Sequence, residues 1–329
     1  MKSTIPVIDI HQYYTGSQAD KERIAQQINQ ACESIGFFCI TGHSVPQALI
    51  DDAFDIARQF FDLPLEEKQK VSVPPGAAYH GYTAIANSAS LAKTLNGESP
   101  PDLREYFYMG KDDIPDGDEY YQTELASYFF APNLWAESPP SFRTIINQYF
   151  KQMEIVSTDL MRLFAIALNL PEPFFDDKVD KHGSHLISIN YPEQPQPPLP
   201  GQLRASPHTD FGTLTIVCQN RVEGGLQILN RDDEWMDVGY VPGAFVINIG
   251  DLMARWTNDR WTSTLHRVVN PPSDIAATSR RQSFAYFHQP NYNISIECLE
   301  GCADEQYPAR YPPIISGNNY RDKISKMKY

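Results

Sequence analysis

His208-Thr209-Asp210 sets an imidazole and a carboxylate two residues apart, and His266 supplies a second imidazole farther along. In an extended chain, residues two apart point to the same side, so His208 and Asp210 can address one ion while Thr209 points away. Two imidazoles and a carboxylate are a three-ligand donor set that suits iron(II) and leaves coordination positions free for chemistry. Arg281-Gln282-Ser283 repeats the two-residue spacing downstream. A planar guanidinium clamps a carboxylate through paired hydrogen bonds, and a hydroxyl adds a third. Arg281 and Ser283 therefore read as the seat for the far carboxylate of a small diacid, with Arg280 facing the other way.

A His-x-Asp pair or an Arg-x-Ser pair says little by itself; the order His-x-Asp, His, Arg-x-Ser carries the reading. The other histidines fall outside it. His43 and His80 lie in the N-terminal part, His182, His185 and His288 lack a partner at ligand spacing, and His11 reads as a surface residue.

These residues need strands to hold them, and the chain supplies strands from residue 186 onward. Residues 186–191, 214–219, 225–229, 235–238, 244–249, 264–269 and 282–288 are short β-rich runs separated by Gly, Pro, Asn and Asp, the pattern of a sandwich or small barrel. A segment with five prolines, residues 192–201, bridges the first run to the His-x-Asp segment. The first part alternates strand and helix. Residues 5–10 alternate in polarity, residues 21–34 carry Ile24, Ala25, Ile28, Ala31 and Cys32 at helical spacing, residues 36–40 form a short apolar strand, and residues 45–61 form a second amphipathic helix. Residues 72–101 read as a long ordered loop of the kind that lines sites. Residues 142–168 form the longest helix. The expected fold is mainly β with α: a double-stranded β-helix (jelly-roll) core, supporting N-terminal helices and one long central helix.

The 329 residues, 42% hydrophobic and 21% charged, describe an ordinary globular chain with a sizeable core. A formal charge of −14 with no basic patch argues against a nucleic-acid partner. No apolar run is long enough to span a bilayer, and the N-terminus has no signal-peptide pattern, so no membrane partner and a cytoplasmic, monomeric protein are expected. Five cysteines at irregular spacing form neither a disulfide framework nor a zinc motif.

With these motifs in place, the chain resembles the iron(II)- and 2-oxoglutarate-dependent dioxygenases of the isopenicillin N synthase-like group. Ile5-Pro6-Val7-Ile8-Asp9 and Gly36-Phe37-Phe38-Cys39-Ile40-Thr41-Gly42-His43 are similar to that group's N-terminal segment. Asn190-Tyr191-Pro192, His208-Thr209-Asp210, Gly224-Gly225-Leu226-Gln227, Asn248-Ile249-Gly250-Asp251, His266-Arg267-Val268 and Arg281-Gln282-Ser283 are similar to its catalytic core. The resemblance implies an N-terminal non-haem dioxygenase region over residues 1–110 and a jelly-roll region over 111–329, sharing one core. It implies Fe(II) on His208, Asp210 and His266, and 2-oxoglutarate on Arg281 and Ser283 with Tyr191 and Asn190 reaching it from the neighbouring strand. With O2, the implied reaction oxidises a C–H bond of a small metabolite by hydroxylation, desaturation or cyclisation, and releases succinate and CO2. Phe287, Gln289, Phe211, Arg104, Phe107, Tyr82 and Tyr79 are the candidate substrate wall; Arg104 reads first as a structural ion pair and second as a partner for a substrate carboxylate, and Tyr79 and Tyr82 read first as loop anchors.

Two departures stand out. The stretch between His266 and Arg281 is longer than in plant members, with Pro271-Pro272-Ser273-Asp274 in its turn, which lengthens a loop without moving the strand. Asp210 argues against the halogenase variant, where a small residue takes that place. Two rivals stay open: an oxidase of the same fold that does not use 2-oxoglutarate, and a metal-dependent hydrolase or non-catalytic jelly roll holding zinc. The latter leaves Arg281 and Ser283 unexplained and lacks an evident general base.

Overall fold

The computed structural model describes residues 5–74, 79–85, 91, 100–220 and 225–327. Its helices are α1 (His11–Thr15), α2 (Gln18–Ser34), α3 (Gln47–Phe61), α4 (Leu65–Gln69), α5 (Phe142–Ala167), α6 (Asp176–Val179), α7 (Asp251–Trp256) and α8 (Ser316–Met327). Its strands are β1 (Val7–Asp9), β2 (Phe37–Thr41), β3 (Tyr82–Thr83), β4 (Glu105–Met109), β5 (His185–Tyr191), β6 (Ala205–His208), β7 (Leu214–Gln219), β8 (Leu226–Leu229), β9 (Trp235–Asp237), β10 (Phe245–Ile249), β11 (His266–Val268), β12 (Arg281–His288), β13 (Ser295–Ile296) and β14 (Ile314–Ile315).

Helix α2 starts where Ser17 and Asp20 form a reciprocal capping box, three residues before the range read from periodicity alone. Two residues past its end stands Gly36, whose φ of +67° and a virtual Cβ only 1.9 Å from the Thr262 carbonyl oxygen admit glycine alone. The chain then turns directly into β2.

Strands order as β1-β2-β10-β7-β12-β5-β4-β3 in the large sheet and β6-β11-β8-β9 in the small one. The seven β-rich runs of the C-terminal part all become strands, giving the jelly-roll architecture expected from the sequence. Strands of the first 110 residues join the same large sheet, β1 and β2 at one edge and β3 and β4 at the other. Part of the expected 72–101 loop is therefore strand; residues 75–78, 86–90 and 92–99 lie outside the described residues, as does Gly224.

Pleating divides the large sheet's side chains between two cores. One face carries Phe107, Met109, Leu186, Phe284 and Tyr286 against α2, α3 and α5. The other carries Ile189, Tyr191, Val246 and Ala285 against Ala205, Leu226, Ile228 and Val268 of the small sheet. The site lies on this second, inter-sheet side. No helix is long and apolar enough to cross a membrane among the described residues, and all five cysteines are free thiols.

Candidate active site and metal centre

His266 of β11 pairs directly across the ladder with His208 of β6, which puts their rings 4.2 Å apart. Strand β6 ends at His208, so Asp210 lies in the turn before β7 rather than on a regular strand. Thr209 does not simply point away: it lies on the cavity wall, and its Oγ1 donates to Asp251 Oδ2 at 3.3 Å. The carboxylate is aimed by hydrogen bonds instead of by alternation. Thr215 Oγ1 (2.6 Å) and Asn248 Nδ2 (2.8 Å) both donate to Asp210 Oδ2. Asp210 Oδ1 is left facing His208 Nε2 and His266 Nε2, 3.7 Å from each.

The imidazoles are prepared in the same way. His208 Nδ1–H donates to the Ser206 carbonyl at 2.8 Å and His266 Nδ1–H to the Thr264 carbonyl at 3.0 Å. Each ring is thereby fixed in the tautomer whose Nε2 lone pair is free, as metal-ligating histidines require. Burial, then His266, hold His208 far below the ordinary imidazole value, so it stays neutral. Burial pushes the Asp210 carboxyl up, but His266, His208, Thr215 and Asn248 together outweigh it and keep Asp210 ionised. One ligand atom from each residue lies within 4.8 Å of the others. Three converging donors, each backed by its own hydrogen bond, fit a divalent metal.

Arg281, on β12, is 1% exposed, and no carboxylate pairs with it among the described residues. Its Nη2 donates to Gln219 Oε1 (2.9 Å), its Nη1 to Ser283 Oγ (3.3 Å), and its Cζ lies 5.0 Å from the Tyr191 ring centre. Burial pulls its pKa down. A buried guanidinium whose hydrogen-bond partners are neutral and whose charged neighbour, the buried Arg204, is a second cation is costly unless an anion joins it, so the residues fit a carboxylate ligand. Gly225, at φ +120°, comes close enough that a Cβ there would touch Arg281 Cδ and Nε at 3.4 Å.

A cavity of about 630 Å³ opens from the metal ligands. Of the candidate wall residues, Arg104, Phe211, Phe287, Gln289 and Tyr79 line it. Three expected contacts are instead turned away by the pleat. Phe107 is 1% exposed and packs on Phe60, Phe142 and Trp135. Tyr82 is buried, with its hydroxyl donating to Glu105 Oε2 at 2.5 Å. Asn190 also faces the helices, donating to Glu105 Oε1 (2.7 Å) and accepting from Arg280 Nε (2.8 Å). Adjacent residues of a strand face opposite ways, so Asn190 and Tyr191 cannot both reach one ligand.

The cavity face of β4 presents Tyr106 and Tyr108, beside His80 and His185 and closed by Tyr320 of α8. Residues 104–107 have no strand in the sequence reading, hence the wrong parity for Phe107; the alternation of Glu105, Phe107 and Met109 as buried residues marks the strand. His185, which has no role in that reading, is 1% exposed on the cavity wall. Asp102, Thr215 and Asn248 also carry no role in it. Of these, only Asn248 stands in a quoted motif; the roles of the other two depend on contacts between segments distant in sequence or across a turn.

Profiles of two family segments match the chain: the N-terminal segment of the non-haem dioxygenases in morphine synthesis over residues 5–138, and the 2OG-Fe(II) oxygenase superfamily over residues 183–290. A 2-oxoglutarate-Fe(II) type oxidoreductase of Emericella nidulans (hxnY) is 33% identical over 314 residues, covering 94% of this chain and 86% of that protein. The proline hydroxylase buaE of Petromyces alliaceus is 30% identical, covering 98% of both. Among solved structures, a full-length Neurospora crassa protein in complex with alpha-KG superposes with a TM-score of 0.82 at 28% identity, over 99% of this chain and 97% of that one. Fold, donor set and relatives agree: this chain belongs to the 2-oxoglutarate- and Fe(II)-dependent oxygenases, enzymes that use Fe(II), 2-oxoglutarate and O2.

Proposed function

We propose that this enzyme hydroxylates a C–H bond of a small metabolite, with Fe(II) on His208, Asp210 and His266 and the distal carboxylate of 2-oxoglutarate on Arg281, Ser283 and Tyr191. The observation that carries this reading is the buried guanidinium of Arg281, with no protein carboxylate to pair with among the described residues, in the same inter-sheet space as three converging metal donors. It counts only in part against an oxidase that omits 2-oxoglutarate, because a substrate carboxylate would compensate the same charge.

Bound metal and cosubstrate supply the oxidation: one atom of O2 enters succinate, the other enters the product alcohol, and CO2 leaves. The chain's own residues bind, orient and exclude water. Thr215 and Asn248 keep one carboxylate oxygen of Asp210 occupied, so the other is offered to the metal. Backbone carbonyls of Ser206 and Thr264 hold both histidines in the ligating tautomer. Phe211, Phe287, Tyr108 and Tyr320 give the cavity apolar walls beside the reacting position. A small-metabolite substrate is supported by relatives named for proline and homoarginine hydroxylation and by a complex of the same Neurospora crassa protein with alpha-KG and thymine.

The test is succinate formation from 2-oxoglutarate with Fe(II) and O2 in the presence of candidate substrates, read together with products by mass spectrometry. A product heavier by one oxygen atom, formed in step with succinate, is expected. Oxidised product without any need for 2-oxoglutarate would overturn the reading.

A further inference from the structure

Arg104 stands just ahead of β4 and lines the cavity together with His208. Its side chain is only 11% exposed, and its Nε has no hydrogen-bond partner. The nearest acid is Asp102, whose Oδ2 lies 3.8 Å from that Nε, beyond hydrogen-bond reach. Asp102 is occupied elsewhere. Its Oδ1 accepts from Ser206 N (3.1 Å) and Ser206 Oγ (2.7 Å), and its Oδ2 accepts from Leu91 N (3.1 Å). The guanidinium carbon lies over the Tyr106 ring, 5.4 Å from its centre, within reach of a cation–π contact.

The rest of the cavity is unlike Arg104. Among its described lining residues, Arg104 is the one cationic side chain, and the carboxylates are Asp210, committed to the metal set, and Glu124, exposed at the rim. From Arg104, β4 continues along the wall with Tyr106 and Tyr108, and Phe211, Phe287 and Tyr320 complete an aromatic enclosure. Residues 104 to 108 span roughly 13 Å of extended chain. A substrate cation would find here only buried acids already engaged, Asp210 by the metal set and Asp102 by Ser206, Leu91 and its 3.8 Å ion pair with Arg104, whereas a carboxylate would find a planar, nearly dry guanidinium whose Nε donates to nothing.

We propose that Arg104 is the substrate anchor, receiving the carboxylate of a monoanionic acid whose remaining body is apolar and lies along Tyr106 and Tyr108. This deepens the hydroxylase reading and rests on it. Asp102 then has a positioning role: it faces Arg104 on one side and on the other pins Ser206, whose carbonyl oxygen holds the metal ligand His208. Anchor and metal strand are thus built on one carboxylate.

The test is calorimetric, under anaerobic conditions, with full-length protein loaded with Mn(II) and 2-oxoglutarate. The probes are phenylacetate, indole-3-acetate and octanoate, each compared with its uncharged primary amide. In the wild type at least one acid is expected to bind about tenfold or more tightly than its amide, an increment of about 1.4 kcal/mol or more. In Arg104→Gln that preference should fall to within about twofold, and Arg104→Lys should restore part of it, since a point charge replaces a planar fork. The dissociation constant of 2-oxoglutarate should stay within about twofold of wild type in both variants. Three results would overturn the proposal: no acid preference in the wild type, an acid preference that survives Arg104→Gln, or 2-oxoglutarate weakened as much as the acid, which would make Arg104 a cosubstrate residue. Failure of the wild type to bind 2-oxoglutarate at all would instead overturn the underlying hydroxylase reading, and this one with it.

Discussion

Thr215→Val removes one hydroxyl and little else from the proposed metal centre. Thr215 is 2% exposed, its backbone stays in β7, and its Oγ1 makes a 2.6 Å hydrogen bond to Asp210 Oδ2. A hydrogen bond to a charged group contributes about 1.5–3 kcal/mol, and the carboxylate keeps its second donor, Asn248, at 2.8 Å. The carboxylate is then freer to rotate and its two oxygens become less distinct. Loss of such an outer partner lowers metal affinity about 10–100-fold, which is about 1.4–2.7 kcal/mol and agrees with the hydrogen-bond figure. The assay is an anaerobic calorimetric titration with Mn(II) or Fe(II), with far-UV circular dichroism to check that the metal-free variant is folded. Asn248→Ala added to Thr215→Val should weaken binding beyond the single variant, because no side-chain donor to Oδ2 would remain. A folded Thr215→Val protein whose metal affinity stays within about twofold of wild type would refute the claim that these hydrogen bonds aim Asp210.

Arg281→Lys keeps a charge but loses the planar fork, so the KM for 2-oxoglutarate should rise about 100-fold or more while metal binding is retained; steady-state succinate formation and a metal titration check both halves. Gly225→Ala places an L-residue at φ +120° against Arg281, at a cost of about 1–3 kcal/mol, and should both lower the denaturant midpoint and weaken 2-oxoglutarate binding. Ser17→Ala removes the capping box of α2, far from the cavity. It should cost about 1 kcal/mol of stability in denaturant unfolding and leave the KM for 2-oxoglutarate unchanged.

The sequence discloses the proposed metal set because chemistry fixes residue type and spacing there: two histidines, an aspartate and an Arg-x-Ser are few enough to be recognised in order. The strands that carry them are legible for a related reason, since β5, β7, β10 and β12 are apolar runs bounded by turn residues. What stays hidden depends on contacts between distant segments. Asp102 meets Ser206 across 104 positions, and Tyr320 meets Tyr108 across 212; no local pattern announces either. The misplacement of Phe107, Tyr82 and Asn190 has a different cause. Each lies in or beside a strand whose parity decides everything, and a one-residue error in facing exchanges the cavity for the helix core. Asp210 shows the opposite case, where the expected convergence with His208 is present but is produced by Thr215 and Asn248 instead of by a strand.

Strand β12 is a two-sided element. One side bears Arg281, Ser283 and Phe287, while Phe284 and Tyr286 on the other lock against Tyr149 and Phe150 of the central helix at 4.9 and 5.4 Å. The cavity's outer walls, by contrast, come from β4, one strand in from the sheet edge, and from α8, which close over it through side chains such as Tyr108 and Tyr320. Mutational drift is therefore unequally permitted. Exchanges at Tyr108 or Tyr320, on elements that carry none of the proposed metal ligands, can reshape what is accepted, whereas the clamp strand cannot shift without unseating a 26-residue helix. A laboratory effort to retarget this scaffold would begin at the rim and leave β12 untouched.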